Sequence, residues 1–414
     1  MEAVAEKVDN SLLGRIKERF EENLPAHWKL TTLGEVFKWS SGGTPLRTNE
    51  KYYGGDIPWL VIGDLNDGLV TDAANHITLE GLENSTARWV EEGSVLLAMY
   101  GSIGKLGIAG RRLTTNQAIA FTNPAPNEAK YLYYFLMYSR HDLASLGKGA
   151  TQKNISQAVI KAYPFPLAPL PEQRRIVSAI ETQLGRLDAA VARLHAAKAK
   201  LKRYKQAVLK AAYDEVAEIH EVKTFGELKE FSMYGPRFSS DDYTADGVPV
   251  LRTSDIDDRG HVNMSTAPKL SLSKEQIAKY KLKLGDLLVT RTGSIGTVSV
   301  FNDSVDAIAG AFLIQYRLGG VDPWYAFHFL RGPVAQHHLI GNIAGIGRPN
   351  LNVAAIDSLE LPVPPMKEQV SIRKTLEVKL NRIAELDATL DAQLLQATRL
   401  RQAVLKRAFE GRLV

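Results

Sequence analysis

Apolar positions along this chain switch between two periods. In residues 1–24, Leu12, Leu13, Ile16 and Phe20 fall on one face of a helix among charges, and Pro25 ends it. From about residue 30 to 123 the pattern changes to short apolar runs between turn signals. Ile57-Pro58-Trp59-Leu60-Val61-Ile62 and Ser94-Val95-Leu96-Leu97-Ala98-Met99 predict strands; Ser41-Gly42-Gly43-Thr44-Pro45 and Tyr53-Gly54-Gly55-Asp56 predict loops. Residues 129–146 read as one aromatic-rich helix. After a proline-rich stretch, 164–171, a long amphipathic helix is predicted to about residue 213. Its Leu184, Leu187, Val191, Leu194 and Leu201 keep four-three spacing, interrupted by Lys198 and Lys205.

The whole pattern then occurs again. Gly101-Ser102-Ile103-Gly104 returns as Gly293-Ser294-Ile295-Gly296, an offset of 293 − 101 = 192. Leu33-Gly34-Glu35 returns as Phe225-Gly226-Glu227, and Ile57-Pro58-Trp59-Leu60 as Val248-Pro249-Val250-Leu251. Glu172-Gln173 returns as Glu368-Gln369 after a second proline-rich stretch, and Gln206-Ala207-Val208-Leu209-Lys210 as Gln402-Ala403-Val404-Leu405-Lys406. This period is domain-sized, far beyond the roughly 20–50 residues of a solenoid unit. The second helix carries Leu376, Leu380, Ile383, Leu390, Leu394 and Val404, interrupted by Asp387 and Arg401.

Two such seams predict a coiled-coil pair, with packing of each helix against its own domain as the alternative. The first helix delivers the chain to the second domain and the second starts there, so a pair must run antiparallel. About 40 helical residues span roughly 60 Å. The expectation is an α/β (α+β) chain of two pseudo-two-fold-related domains separated by a rigid antiparallel ruler. The natural partner of such an object is a ligand with two half-sites.

Composition narrows the chemistry. The 414 residues carry a formal net charge of +5 and a pI near 9.0, a lean toward a polyanionic partner. No cysteine is present, which rules out disulfides, thiol catalysis and cysteine-held zinc. The charged first 22 residues are unlike a secretory signal and no apolar run approaches 18 residues, so a cytoplasmic protein without a membrane span is expected. No phosphate-loop motif occurs, and the second copy lacks the third glycine of Gly101-x-x-Gly104-x-x-Gly107. Asn123-Pro124-Ala125-Pro126 lacks the aromatic residue of an aminomethyltransferase motif. Glu221-Val222-Lys223 is a tripeptide common by chance, and His337-His338 has no counterpart in the first copy. No catalytic residue and no metal ligand set emerges.

Binding features are stronger. In each copy Gly-Ser-Ile-Gly follows a strand-like run, where small residues let backbone approach a phosphate; a tight hairpin needed only for folding is the alternative. A second loop, Lys148-Gly149-Ala150-Thr151-Gln152-Lys153-Asn154, matches Gly345-Ile346-Gly347-Arg348-Pro349-Asn350. Gln and Asn can pair bidentately with adenine and Arg with guanine. Where the first copy has Met99-Tyr100 the second has Arg291-Thr292, and Gly42-Gly43-Thr44-Pro45 becomes Tyr234-Gly235-Pro236-Arg237. Shared residues would build the scaffold and variable ones would read different sequences. The first long helix is strongly basic, with Arg193, Lys198, Lys202, Arg203 and Lys205 among its cations. That is a solvated face, or a surface for phosphates or an acidic partner.

These motifs carry a family resemblance. Leu24-Pro25-x-x-Trp28, Leu33-Gly34-Glu35, Gly42-Gly43-Thr44-Pro45, Tyr53-Gly54-Gly55-Asp56-Ile57-Pro58-Trp59, Tyr100-Gly101-Ser102-Ile103-Gly104-Lys105 and the proline-rich entry to a long helix resemble the specificity subunit of type I restriction–modification enzymes. The second copy lacks the Trp28 segment and the Gly-Gly-Thr-Pro loop. The resemblance implies a non-catalytic subunit with two target-recognition domains, each a small twisted sheet with helices. Each would read one half of a bipartite, asymmetric site on double-stranded DNA.

It further implies that the helices set the spacer and dock two methyltransferase subunits, with restriction/translocase subunits joining. This chain would bind no cofactor; the complex would use S-adenosylmethionine, ATP and Mg in a bacterial or archaeal cytoplasm. The expected divisions are an N-terminal helical segment (1–26), recognition domains at 27–168 and 218–364, and long helices at 169–217 and 365–414. Candidate DNA-binding residues in the first copy are Lys38, Ser41, Gly43, Thr44, Tyr100, Ser102, Lys105, Lys148, Thr151, Gln152, Lys153 and Asn154. In the second they are Tyr234, Arg237, Arg252, Arg291, Thr292, Ser294, Arg348 and Asn350. Leu184, Leu187, Val191, Leu194, Leu201, Leu380, Ile383, Leu390 and Leu394 are the candidate coiled-coil and docking positions. The competing expectation is a two-headed protein-binding scaffold without DNA specificity; a fused enzyme fragment would need the cofactor motifs that are missing.

Overall fold

The computed structural model describes residues 10–122, 129–149, 152–257, 259–343 and 349–414. The chain divides into two compact units. One takes the chain through Arg193 together with Gln393–Val414; the other is Leu194–Ala392.

In the first unit, helix Asn10–Asn23 buries Leu13, Ile16 and Phe20 and stops before Pro25. Strand Lys29–Thr32 pairs antiparallel with Pro164–Leu167, so the proline-rich stretch begins as a strand. A five-stranded sheet runs in the order Trp39–Ser41, Ile119–Thr122, Val95–Ala98, Leu106–Ala109, Gly68–Val70, its last pair parallel. A four-stranded sheet orders His76–Ile77, Tyr53–Leu60, Leu113–Thr115 and Trp89–Val90. The aromatic segment is two helices rather than one, Ala129–Tyr138 and Arg140–Ser145. They part at Ser139, which leaves helical geometry (ψ 0°). Phe135 meets Phe20, Tyr163, Phe165 and Phe409, each ring within 6.0 Å.

The second unit repeats the plan. Val222–Thr224 pairs with Glu360–Pro362. One four-stranded sheet orders Lys229–Tyr234, Leu313–Leu318, Leu287–Thr290 and Val298–Val300; another orders Tyr243–Thr244, Lys269–Leu270, Val248–Leu251 and Ile308–Ala309. The recurrent Leu/Phe-Gly-Glu is a helical turn with a capping box. In it the Glu35 and Glu227 amides donate to Thr32 and Thr224 hydroxyls at 3.3 and 3.2 Å, and each carboxylate takes the Thr amide in return. The glycine between has a packing reason in the first unit, because a Cβ on Gly34 would lie 2.8 Å from that of Lys161.

The long helices are Leu170–Ala217 and Met366–Phe409. Gln173 and Gln369, each 1% exposed, pin their starts to carbonyls of Ala168 and Pro364. Inside the first unit Leu184 shares a core with Leu405, Ala408 and Phe409, while Asp188 pairs with Arg401 further along. Inside the second unit Lys198 pairs with Asp387 and Asp391 at 3.3 and 2.5 Å. Tyr204, Ala207, Ala211 and Glu215 line one hollow with Lys379 there. Number rises on one helix as it falls on the other, so the segments run antiparallel in each unit. Leu184 and Ile383 are buried; Leu187, Val191, Leu194, Leu201, Leu380, Leu390 and Leu394 are half-buried. The charged interruptions Lys198, Asp387 and Arg401 all sit in cross-helix ion pairs. Such solvent-exposed pairs contribute little to stability.

Candidate nucleic-acid interface

In both units Gly-Ser-Ile-Gly is the turn of an antiparallel hairpin. It joins Val95–Ala98 to Leu106–Ala109 and Leu287–Thr290 to Val298–Val300. The four glycines have φ of 63, 85, 72 and 82°, a left-handed region that a side chain strains. Several turn amides are engaged internally: Gly104 on Ala98 O (3.1 Å), Lys105 on Ser102 O (3.1 Å), Gly296 on Thr290 O (3.0 Å). Ser102 and Ser294 lie exposed at the tips. A long side chain braces each turn, Arg140 Nε donating to Gly104 O at 2.8 Å and Gln336 Nε2 to Gly296 O at 3.0 Å.

The second loop docks against this turn. Gly101 N donates to Lys153 O (3.0 Å), Ile155 N to Met99 O (2.9 Å), and Tyr100 bridges Asn154. Lys148 and Asn154 close the loop with paired backbone bonds of 2.9 and 2.8 Å. Lys148, Gln152, Lys153 and Asn154 therefore stand exposed beside Tyr100 and Ser102, and Gln152 Nε2 lies 3.0 Å from where a Gly101 Cβ would be. The second unit makes the matching bond, Leu351 N to Arg291 O at 2.9 Å. Here Tyr234, Arg291 and Asn350 meet. The guanidinium lies 4.3 Å from the Tyr234 ring centroid, Arg291 Nε donates to Asn350 Oδ1 at 3.0 Å, and Val353 N donates to the Tyr234 hydroxyl at 3.1 Å. Thr292 is half-buried next to them. Thr151 and Arg348 lie outside the described residues, as does Asn123-Pro124-Ala125-Pro126.

Other candidates have partners within the protein. Gly42 and Gly43 are buried, where added Cβ atoms would fall 1.8 Å from Thr115 O and 2.2 Å from Thr86 Oγ1. Thr44 donates to Gln117, and the Trp59 indole donates to Gly43 O at 2.9 Å. Ser41 is laddered to Ala120, while Lys38 stands exposed just before that strand. Lys105 Nζ donates to the carbonyls of Ile62 and Gly63 at 3.1 and 3.3 Å. Arg252 is doubly bonded to Asp255 at 3.0 and 2.8 Å. Burial pushes the Asp255 carboxyl up, but hydrogen bonds from Arg252 and Thr266 hold it below the usual range. Arg237 is exposed.

Two repeated features were not read from the sequence. His27 Nε2 meets Glu172 Oε2 and His220 Nε2 meets Glu368 Oε1, both at 2.9 Å, where each long helix begins. The recurring Glu-Gln was visible, but its histidine partners stand about 145 residues away in sequence. The brace by Arg140 or Gln336 is equally nonlocal, and its residue type differs between copies. Among the described residues no group of three His, Asp or Glu is placed to hold a metal ion, and no helix is long and apolar enough to cross a membrane.

Comparison with known proteins agrees with this repeat. The family model described as the type I restriction modification DNA specificity domain matches residues 25–199 and again 219–396. The EcoBI specificity subunit of Escherichia coli is 24% identical over 357 residues, covering 78% of this chain and 74% of that one. The EcoKI specificity subunit of Escherichia coli strain K12 is 27% identical over 293 residues, 66% of this chain and 63% of that one. Among solved structures, a chain from a study of assembly and conformational transition in a type I R-M system superposes with a TM-score of 0.75 at 19% identity, covering 94% of this chain and 99% of that one. The HsdS subunit of Thermoanaerobacter tengcongensis gives 0.52 at 19% identity, covering 94% and 98%. At that identity the superpositions speak for the fold, and the two family matches, one per repeat, establish that this chain belongs to the type I restriction–modification DNA specificity family.

Proposed function

We propose that this chain is the DNA-reading, non-catalytic subunit of a type I restriction–modification complex, and that its two repeats read the two halves of a bipartite, asymmetric site. The carrying observation is the pair of docked loops: one backbone framework, occurring twice, with different side chains on it. Met99-Tyr100 beside Gln152 and Asn154 in the first unit becomes Arg291-Thr292 beside Tyr234 and Asn350 in the second. A shared scaffold with variable chemistry suits two unlike half-sites. Recognition domains of 27–168 and 218–364, with the long helices as spacer and docking surface, fit this reading.

Phosphate contacts would supply salt-dependent affinity, and base contacts discrimination of about 1–3 kcal/mol per bidentate pair. Lys38, Lys148, Lys153 and Arg237, all exposed, suit the first role. Gln152, Asn154 and Arg291 suit the second, as does Arg348 by residue type. The complex would hold two methyltransferase subunits that methylate adenine with S-adenosylmethionine, and restriction/translocase subunits that use ATP and Mg, all in the cytoplasm. The test is to map methylated adenines genome-wide with and without this chain. The proposal expects methylation at one two-part motif that disappears with the chain; methylation that persists unchanged refutes it.

A further inference from the structure

The second unit contains a cavity of about 740 Å³ that the DNA-reading loops do not use. Its walls are both long helices, helix Pro323–Leu330 and the turn around Gly260. Five cations line it (Lys198, Lys202, Lys205, Arg259 and Arg331) against two carboxylates, Glu377 and Asp387. Trp324, Phe327, Leu380 and Ile383 supply an apolar wall, with Arg331 stacked 4.9 Å from the Phe327 centroid. His328 also lines it. It is 6% exposed, and neither ring nitrogen has a hydrogen-bond partner; the nearest carboxylate, Glu377, stands 3.8 Å away. Buried polar atoms are normally satisfied.

The repeat acts as an internal control. Tyr131 and Tyr325 hydroxyls both donate at 2.8 Å, to Pro166 O and Pro362 O, which aligns the two aromatic helices at 325 − 131 = 194. His328 and Arg331 then correspond to Tyr134 and Met137. On the long helices, offset by 196, Lys198 and Lys202 correspond to Leu394 and Thr398. The scaffold therefore folds without these four charged or titratable groups, while Lys205 keeps a cationic counterpart in Arg401.

We propose that this cavity binds a small anion carrying an aromatic ring, of the nucleotide class. A lining that joins cations with the Trp324 and Phe327 rings suits phosphates and a base, and the volume is that of a small-molecule site. His328 lies in the wall with both ring nitrogens buried, so it reports on occupancy of the cavity. The charge imbalance also acts on the cavity's own groups: burial, then Arg331 and Arg259, push the Lys205 ammonium down. This inference is separate from the DNA-reading proposal.

The test uses the full chain with labelled histidines, followed by NMR, with ATP, adenosine, pyrophosphate and a 12-base-pair duplex as probes. ATP should shift the resonance missing in His328→Phe and bind at least about tenfold tighter than adenosine or pyrophosphate. The doubly exposed Lys202→Glu/Arg259→Glu variant, checked for native circular dichroism, should weaken ATP by at least about tenfold. No saturable ATP shift at His328 overturns the proposal. So does equal binding of pyrophosphate, which would make the site a reader of charge alone, or a His328 shift given by the duplex and not by ATP.

Discussion

Arg291→Ala separates base reading from phosphate holding. The guanidinium is fixed before any ligand arrives, by the Tyr234 ring 4.3 Å away and by its Nε–H on Asn350. That leaves the fork of terminal nitrogens as the group with guanine-reading geometry. Losing a bidentate base contact costs about 1–3 kcal/mol, or roughly 5- to 150-fold at one base pair. The same change removes a cation–π contact and one charged hydrogen bond, so the second unit should lose about 1–2 kcal/mol of stability. Competitive equilibrium binding, with the methylating partner present and duplexes varied one base at a time, measures the first quantity at two salt concentrations. The expected result is relaxed preference at one position in one half-site with an unchanged salt slope. Arg291→Lys should behave like the alanine variant, because an ammonium keeps the charge and loses the fork. Uniform weakening across all sequences, with the salt slope reduced by about 1, would refute the assignment and make Arg291 a phosphate contact.

Other consequences are more local. Gly42→Ala should destabilise the first unit by about 1–3 kcal/mol or more, because its Cβ would fall 1.8 Å from Thr115 O; Gly235→Ala, 1.8 Å from Ala309 O, should do the same to the second, read by denaturant unfolding. Asp286→Ala removes a fully buried carboxylate that accepts from Arg317 at 2.7 and 2.8 Å and from Gln315 at 2.6 Å, and should cost about 3–5 kcal/mol in the same assay. Burial, then Arg331, Arg373 and Lys205, push His328 down to about 4 from 6.5. Its unfolded form therefore binds the proton first. Stability is present in full above about pH 6.5 and falls as pH drops toward 4, by up to about 3 kcal/mol. His328→Phe should flatten that part of the pH–stability curve, and an unchanged slope would show that other groups carry it.

Much of this architecture is written locally. The Gly-Ser-Ile-Gly turns and the four-three seams depend on residues a few positions apart and show as recurring motifs; of the equally local capping boxes at Glu35 and Glu227 only the recurrence was read, not the cap. Repetition raised a common tetrapeptide to a structural landmark. What stayed hidden is long-range. Nothing near Lys105 in sequence says that it reaches Ile62 O, 43 residues away. Nor does residue type show that Lys198 and Arg401, which break the apolar seam, find Asp387 and Asp188 across it. Gly42 and Gly43, read as a DNA-facing loop, sit under Thr115 and Thr86, contacts made by chain 40 or more residues distant. A basic side chain looks the same in sequence whether it faces solvent, a carboxylate or a cavity.

On the proposed function, two like modules read two unlike half-sites at a separation set by the long helices. The most direct measurement is selection of bound sequences from random duplexes, using the chain with its methylating partner, before and after inserting seven residues into each long helix. Seven helical residues add about 10.5 Å, or roughly three base pairs at 3.4 Å each. Two short specified blocks should flank an unspecified spacer, with both blocks kept and the spacer lengthened in the variant. A single continuous block, or a spacer indifferent to the insertion, would contradict it.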